Sequence, residues 1–231
     1  MNLPLSKRLL TCIDFIAPGD RVADIGCDHG YLGIHLLQNG IAASVIAADI
    51  NEMPLQSAVR NAEKYGVRDQ MAFYLSDGAK NIPRDFDTLV CAGMGADTMI
   101  SILENAPWLK NEKYRMILQC QSRRPELRKY LYENGYSIRR ETLAQDGKFI
   151  YPVTEVVYSP ADPLTAGGYH ITPALLESNS PLLPDFYRRM IDGLKTTVAG
   201  LARTGGEKYE HFCSVLQELT ELEDTVYGNR S

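Results

Sequence analysis

Val22-Ala23-Asp24-Ile25-Gly26-Cys27-Asp28-His29-Gly30-Tyr31-Leu32 reads as a buried strand that ends in an acidic, glycine-bearing turn and then enters a helix. Glycine lets a backbone approach a ligand closely and take conformations that other residues resist. Asp24 and Asp28 flank the turn and would repel a pyrophosphate. The dinucleotide fingerprint G-x-G-x-x-G is absent, because Gly26 and Gly30 are spaced G-x-x-x-G. A cationic ligand with a ribose suits the turn better, and S-adenosylmethionine carries both a sulfonium and an ammonium. Acidic turns after strands also serve simply as helix caps.

Outward from this turn, strand-like and helix-like segments alternate. Val22–Ile25, Ser44–Asp49, Met71–Leu75, Thr88–Ala92 and Arg115–Gln119 are apolar runs of strand length. Helical stretches are expected at Leu5–Phe15, Leu32–Gln38, Pro54–Tyr65, Ala96–Asn105 and Pro125–Asn134. Tyr136–Leu143 and Ile150–Tyr158 follow with only the turn Gln145-Asp146-Gly147-Lys148 between them, which predicts a closing antiparallel pair. Repeated β-α units imply an α/β fold with a mostly parallel sheet covered on both faces.

Ser159-Pro160-Ala161-Asp162-Pro163 and Gly167-Gly168 then punctuate the chain. They predict one domain over 1–160 and a second over 165–231. In the second, Tyr187, Ile191, Leu194, Val198 and Leu201 recur at helical spacing, as do Phe212, Val215, Leu219, Leu222 and Val226. Two such stripes joined through Gly205-Gly206 predict an antiparallel, coiled-coil-like helical hairpin, serving either as packing or as an arm for a large substrate.

Composition narrows the class. Five scattered cysteines, with no C-x-x-C pair, argue against a disulfide framework or zinc knuckle and for a reducing cytoplasm. No metal is expected. No apolar run approaches the roughly 20 residues of a membrane span, and the opening Met1–Arg8 lacks the apolar stretch of a secretory signal. Net charge is −5, which discourages a nucleic-acid reading, yet residues 115–148 hold 8 basic against 4 acidic residues. A local basic face of that kind can steer a phosphate backbone.

Asp49 ends the second strand in Ala48-Asp49-Ile50-Asn51, 19 residues after Gly30, where a carboxylate accepts from both ribose hydroxyls of a nucleoside. Ser76-Asp77-Gly78 follows the third strand and suits an adenine, Asp77 accepting from its amino group and Gly78 leaving room for the ring. The fourth strand ends in Ala92-Gly93-Met94-Gly95, a side-chain-free ledge for a base. The candidate cofactor set is therefore Asp24, Gly26, Cys27, Gly30, Asp49, Ile50, Asn51, Asp77, Gly78, Ala92, Gly93, Met94 and Gly95. The Asn/Asp-Pro-Pro-aromatic motif of exocyclic-amine methylation is missing. Cys91 and Cys120 read as buried small hydrophobes rather than nucleophiles for pyrimidine methylation.

Leu5-Ser6-Lys7-Arg8-Leu9, the Asp24–Tyr31 turn, Ala92-Gly93-Met94-Gly95 and the two-helix tail together resemble the bacterial tRNA (adenine-22-N1)-methyltransferases. Gly30 and Ala96 depart from that pattern, standing where alanine and a further glycine are common. The resemblance implies a Rossmann-like class I methyltransferase sheet, S-adenosylmethionine as cofactor, and tRNA as partner. It implies methyl transfer to N1 of an adenine in the D-arm region. A monomer is expected. Unpaired adenine N1 carries no proton at neutral pH, so alignment and nearby negative charge matter more than a base. Asp28 is the candidate for that charge, with His29 and Tyr31 shaping or stacking on the base. N1 lies on the pairing edge, so the base must be turned out of its stack. Lys7, Arg8, Arg123, Arg124, Arg128 and Lys129 are the main candidates to hold the RNA, with Arg139 and Arg140 beside them. A small-molecule methyltransferase, or a non-catalytic RNA-binding protein that keeps the fold, remain as alternatives.

Overall fold

The computed structural model describes residues 3–228. Residues 1–2 and 229–231, the outer ends of the two expected domains, lie outside the described residues. A seven-stranded sheet runs in the order β3-β2-β1-β4-β5-β7-β6. The strands β1 (Asp20–Ile25), β2 (Ala42–Asp49), β3 (Met71–Leu75), β4 (Thr88–Met94) and β5 (Arg115–Cys120) are parallel. The hairpin β6 (Tyr136–Asp146) and β7 (Phe149–Tyr158) closes the sheet antiparallel. This is the mostly parallel sheet with a terminal hairpin that the sequence pattern predicts.

Helices cover both faces: α1 (Lys7–Ile13), α2 (Tyr31–Gln38), α3 (Glu52–Lys64), α4 (Ala96–Glu104) and α5 (Arg124–Glu133). Side chains alternate across a strand, so successive residues serve opposite cores. In β1, Ala23 and Ile25 join the core that includes Met99, Leu103 and Leu131. Val22 instead joins the core that includes Cys12, Ile34 and Ala58. The same alternation puts Asp24 of β1, Ala92 of β4 and Gln119 of β5 on the α1 face. The site is built there.

Beyond β7 lie α6 (Pro173–Glu177), α7 (Leu183–Leu201), α8 (Glu207–Glu221) and α9 (Glu223–Gly228). The expected helical pair is α7 and α8. Its seam is tight near the sheet, where Tyr187, Ile191, Leu194, Val215 and Leu219 are buried, and looser at Val198 and Leu201. That third core also takes Leu143 and Ile150 from the β6–β7 hairpin, so the helices rest directly on the sheet's last strands. Helix α6 is too short to show a period, but Thr172 caps it, accepting from the Leu175 N–H at 3.1 Å.

One expectation is corrected here. Arg128, read as an RNA contact, is 3% exposed and pairs with the buried Glu141. It also donates to the carbonyls of Tyr169 at 3.0 Å and His170 at 2.8 Å. Its position beside Leu127 on the inward face of α5 turns the guanidinium into the protein, where a buried carboxylate needs a cation. Arg128 fastens the C-terminal segment to the sheet.

Candidate active site

The chain order reverses between β1 and β4, and open α/β sheets bind ligands at the strand ends beside such a reversal. Two cavities open there, of about 550 and 580 Å³, and both are lined by Gly26 and Met94. They are neighbouring halves of one trough.

The first half is lined by Asp49, Ile50, Asn51, Ser76, Asp77, Gly78, Asp97, Thr98, Ser101 and Ile102. Asp49 is only 7% exposed, and backbone donors hold its carboxylate in place. The Asp28 N–H donates to Oδ2 at 3.1 Å and the Asn51 N–H to Oδ1 at 2.9 Å. Two anchored oxygens with lone pairs to spare match the paired hydroxyls of a ribose. Asp77 is exposed and pairs with Lys80, and Ile102 packs against Gly78 as part of the wall.

The second half is lined by Pro4, Ser6, Arg8, Leu9, Asp24, Cys27, Asp28, His29, Tyr31, Leu32, Ala92 and Gly93. Asp24 is 5% exposed, and burial, then the charges of Asp49 and Asp28, raise its pKa to about 7. A buried carboxylate held so uneasily calls for a cation. Asp28 has φ 50°, and its exposed carboxylate lies 3.6 Å from His29 Nε2. The His29 and Tyr31 rings sit 5.8 Å apart. These three expected catalytic residues therefore share one rim.

The ledge on β4 differs from the expectation. Pairing with β5 slips between Ala92 and Met94, and Gly93 takes up the slip with φ 82°. Its freed N–H donates to Gln119 Oε1 at 3.0 Å, and Arg8 Nη1 donates to the same oxygen at 3.1 Å. A Cβ at Gly93 would lie 2.9 Å from Arg8 Nη1, so the ledge carries a guanidinium rather than standing open. Gly30 lines neither half. A Cβ there would lie 2.9 Å from Ala58 Cβ, so this glycine serves the packing of α2 against α3.

The sequence alone assigns no role to Ser6 or Gln119 and gives Arg8 to RNA. Gln119 is fully buried and directly follows the apolar run Met116-Ile117-Leu118, and that is the signal it leaves. Among the expected RNA contacts, Lys7, Arg123 and Lys129 are exposed. Arg123 pairs with Asp97 and Glu126, while Arg124 lies over the Phe186 ring at 5.1 Å. Burial pushes the Cys12 thiol up to about 12 and raises Cys27, Cys91 and Cys120 as well. Among the described residues no His/Cys/Asp/Glu group is arranged to hold a metal, and no helix is long and apolar enough to cross a membrane.

A sheet of this order with acidic strand ends is the frame of S-adenosylmethionine chemistry, and the chain belongs to the methyltransferase-domain family, whose model matches residues 5–154. Its similarity extends to particular members. It is 36% identical over 149 residues to the tRNA (adenine(22)-N(1))-methyltransferase of Bacillus subtilis, a match spanning 64% of this chain and 63% of that protein. The crystal structure of the B. subtilis M1A22 tRNA methyltransferase TrmK superimposes with a TM-score of 0.80 at 26% identity, covering 98% of this chain and 99% of that one. The Streptococcus pneumoniae protein Sp1610, in complex with S-adenosyl-L-methionine, gives 0.83 at 26% identity over 95% and 99%.

Proposed function

We propose that this chain transfers a methyl group from S-adenosylmethionine to N1 of an adenine in tRNA, at position 22 in the D-arm region. The observation that carries this reading is the trough itself. A ribose-matched carboxylate stands in one half, a buried carboxylate wanting a cation in the other, and an exposed acidic rim beside them. The named activity of the B. subtilis relative supports the substrate.

When bound, S-adenosylmethionine supplies an electrophilic methyl group on its sulfonium. Asp49 would hold the ribose, Asp77 would stand beside the adenine, and Asp24 would face the ammonium. The target adenine would enter over His29 and Tyr31 with N1 unprotonated, so its lone pair could take the methyl group without a base as the sulfur–methyl bond breaks and the donor leaves as a neutral thioether. Methylation leaves the ring cationic, and the Asp28 carboxylate at the rim stabilises that charge. Asp28→Ala should therefore lower kcat about tenfold to a hundredfold and leave donor affinity within about twofold. Parallel losses in both would make Asp28 a cofactor ligand instead.

The proposed division of labour follows the sequence boundaries: residues 1–160 perform the transfer, and the helical hairpin of 165–231 helps grip the RNA. Lys7, Arg123, Arg124 and Lys129 are the proposed phosphate contacts. Joint replacement Arg123→Glu and Lys129→Glu should weaken tRNA binding and flatten its log-log salt slope by about two. Affinity and slope both unchanged would remove this face from the interface. The proposed setting is the cytoplasm, where five free cysteines are at home. The proposed form is a monomer without metal. Incubation with labelled donor and unmodified tRNA, followed by nucleoside mapping, tests the whole reading: label in 1-methyladenosine is expected. Label elsewhere, or none, overturns it.

A further inference from the structure

We propose that the tip of the β6–β7 hairpin, with Phe149 and Tyr151 at its centre, is a stacking platform for the unpaired nucleotide next to the target adenine. This rests on the tRNA reading above and gives that substrate a contact made by an aromatic ring rather than by charge.

The tip follows from the turn. Asp146 and Phe149 are direct cross-strand partners, so Gly147 and Lys148 alone make the reversal, with Gly147 at φ 59°. Side chains alternate along β7. Ile150 enters the third core beside Leu143, so Phe149 and Tyr151 take the opposite face, where Ala144 and Val153 join the core that includes Cys12 of α1. Cover on that face thins toward the turn: Val153 is fully buried, Tyr151 half-buried and Phe149 53% exposed. The chain has six phenylalanines, and Phe149 is the exposed one.

The ring is held in a defined setting. It stands 6.0 Å from the Tyr151 ring, and Lys148 Nζ lies 5.2 Å from its centroid. Arg189 of α7 donates to the Lys148 carbonyl and ties the turn to the helical pair. The platform also borders the trough. Asp146 faces Phe149 across the ladder, where Cβ atoms are about 5 Å apart. The Asp146 carboxylate lies 3.4 Å from Arg8 Nε, and Arg8 lines the same half of the trough as His29 and Tyr31.

Area and charge select the occupant. A single aromatic side chain offers about 150–250 Å². A stable protein interface takes about 800 Å² from each partner. One exposed ring with half of another is too little for a second copy of this chain, and it matches one base. Turning the target adenine out of its stack bares the face of its neighbour, and an aromatic ring at the mouth of the trough replaces the stacking that is lost. The Lys148 ammonium, with no ion-pair partner among the described residues, complements the phosphate of that nucleotide.

Binding of unmodified tRNA to the full chain, followed across a salt series, tests this. Phe149→Ser should weaken tRNA binding about fivefold to a hundredfold, with the log-log salt slope of the wild type and S-adenosylmethionine affinity within about twofold. Phe149→Trp should bind tRNA at least as tightly as the wild type, whereas Phe149→Leu, apolar but not aromatic, should stay weak. Lys148→Gln should instead lower the slope by about one. Wild-type tRNA affinity in Phe149→Ser, or full recovery by Phe149→Leu, would overturn the platform. So would a wild type that sediments as a dimer and a Phe149→Ser chain that sediments as a monomer, since the ring would then belong to a second copy. A wild type that binds the donor but leaves tRNA unmethylated would instead remove the tRNA reading on which the platform rests.

Discussion

Arg128→Met should lower the unfolding free energy by about 3–5 kcal/mol, read from urea midpoints at constant slope. Glu141 is 3% exposed and sits in a web of donors: Arg128, Thr154 at 2.8 Å and Thr172 at 2.5 Å. Removing the guanidinium leaves a carboxylate without a countercharge in a place water does not reach. The cost comes from that stranded charge, not from the strength of the pair. Two further results distinguish this account from simple loss of volume. Arg128→Met combined with Glu141→Gln should recover a substantial part of the loss, because the amide carries no charge, its oxygen accepts from one threonine, and its NH2 donates to the hydroxyl oxygen of the other. Amide exchange should quicken around residues 169–177, because Arg128 also holds the carbonyls of Tyr169 and His170. Equal stability of the wild type and Arg128→Met would remove the proposed fastening.

The same residue shows where a sequence stops being readable. The parallel strands announce themselves because the inner ones are buried on both faces, so each is a short, nearly continuous apolar run; the edge strand β3 keeps that pattern although it is half exposed. Asp24, Asp49 and Asp77 are legible because they interrupt or end such runs at the edge where ligands bind. Arg128 is not, since a cation in an amphipathic helix has the same letter whether it faces water or a buried Glu141. Which way it turns depends on β6, and that contact is made only in the folded chain. Arg8 fails to stand out for a similar reason: the slip between β4 and β5 that brings Gly93 and Gln119 beneath it is a matter of register. Gly30 shows the converse. Its place in a glycine-bearing turn suggests a ligand, while the neighbour that needs its missing Cβ is Ala58 of α3.

Asp24→Asn should stabilise the ligand-free protein at neutral and higher pH while removing most of its affinity for S-adenosylmethionine. The folded-state pKa of Asp24 is about 7, raised from an ordinary value of 3.8 chiefly by burial. Between those values the folded chain holds a proton that the unfolded chain releases, so this group makes stability fall as pH rises from about 4 to about 7. The full window of roughly three units corresponds to about 4 kcal/mol. Below pH 4 both states are protonated, and wild type and Asp24→Asn should converge. Measuring the two in parallel isolates the effect from the carboxylates of Asp87 and Asp185, whose pKa values their arginine partners lower. Ligand binding runs the other way. An ammonium pairs with the ionised carboxylate, so donor affinity should climb with pH up to about 7, approaching tenfold per unit, and then level off. In Asp24→Asn that climb should vanish, the affinity should drop by about a hundredfold or more, and the donor-induced rise in Tm should shrink accordingly. The buried charge is thus a cost the empty protein carries and the cationic donor relieves. A variant with wild-type donor affinity and an unchanged pH profile would show that Asp24 stands away from the ammonium, and the division of the trough into ribose and amino-acid halves would have to be redrawn.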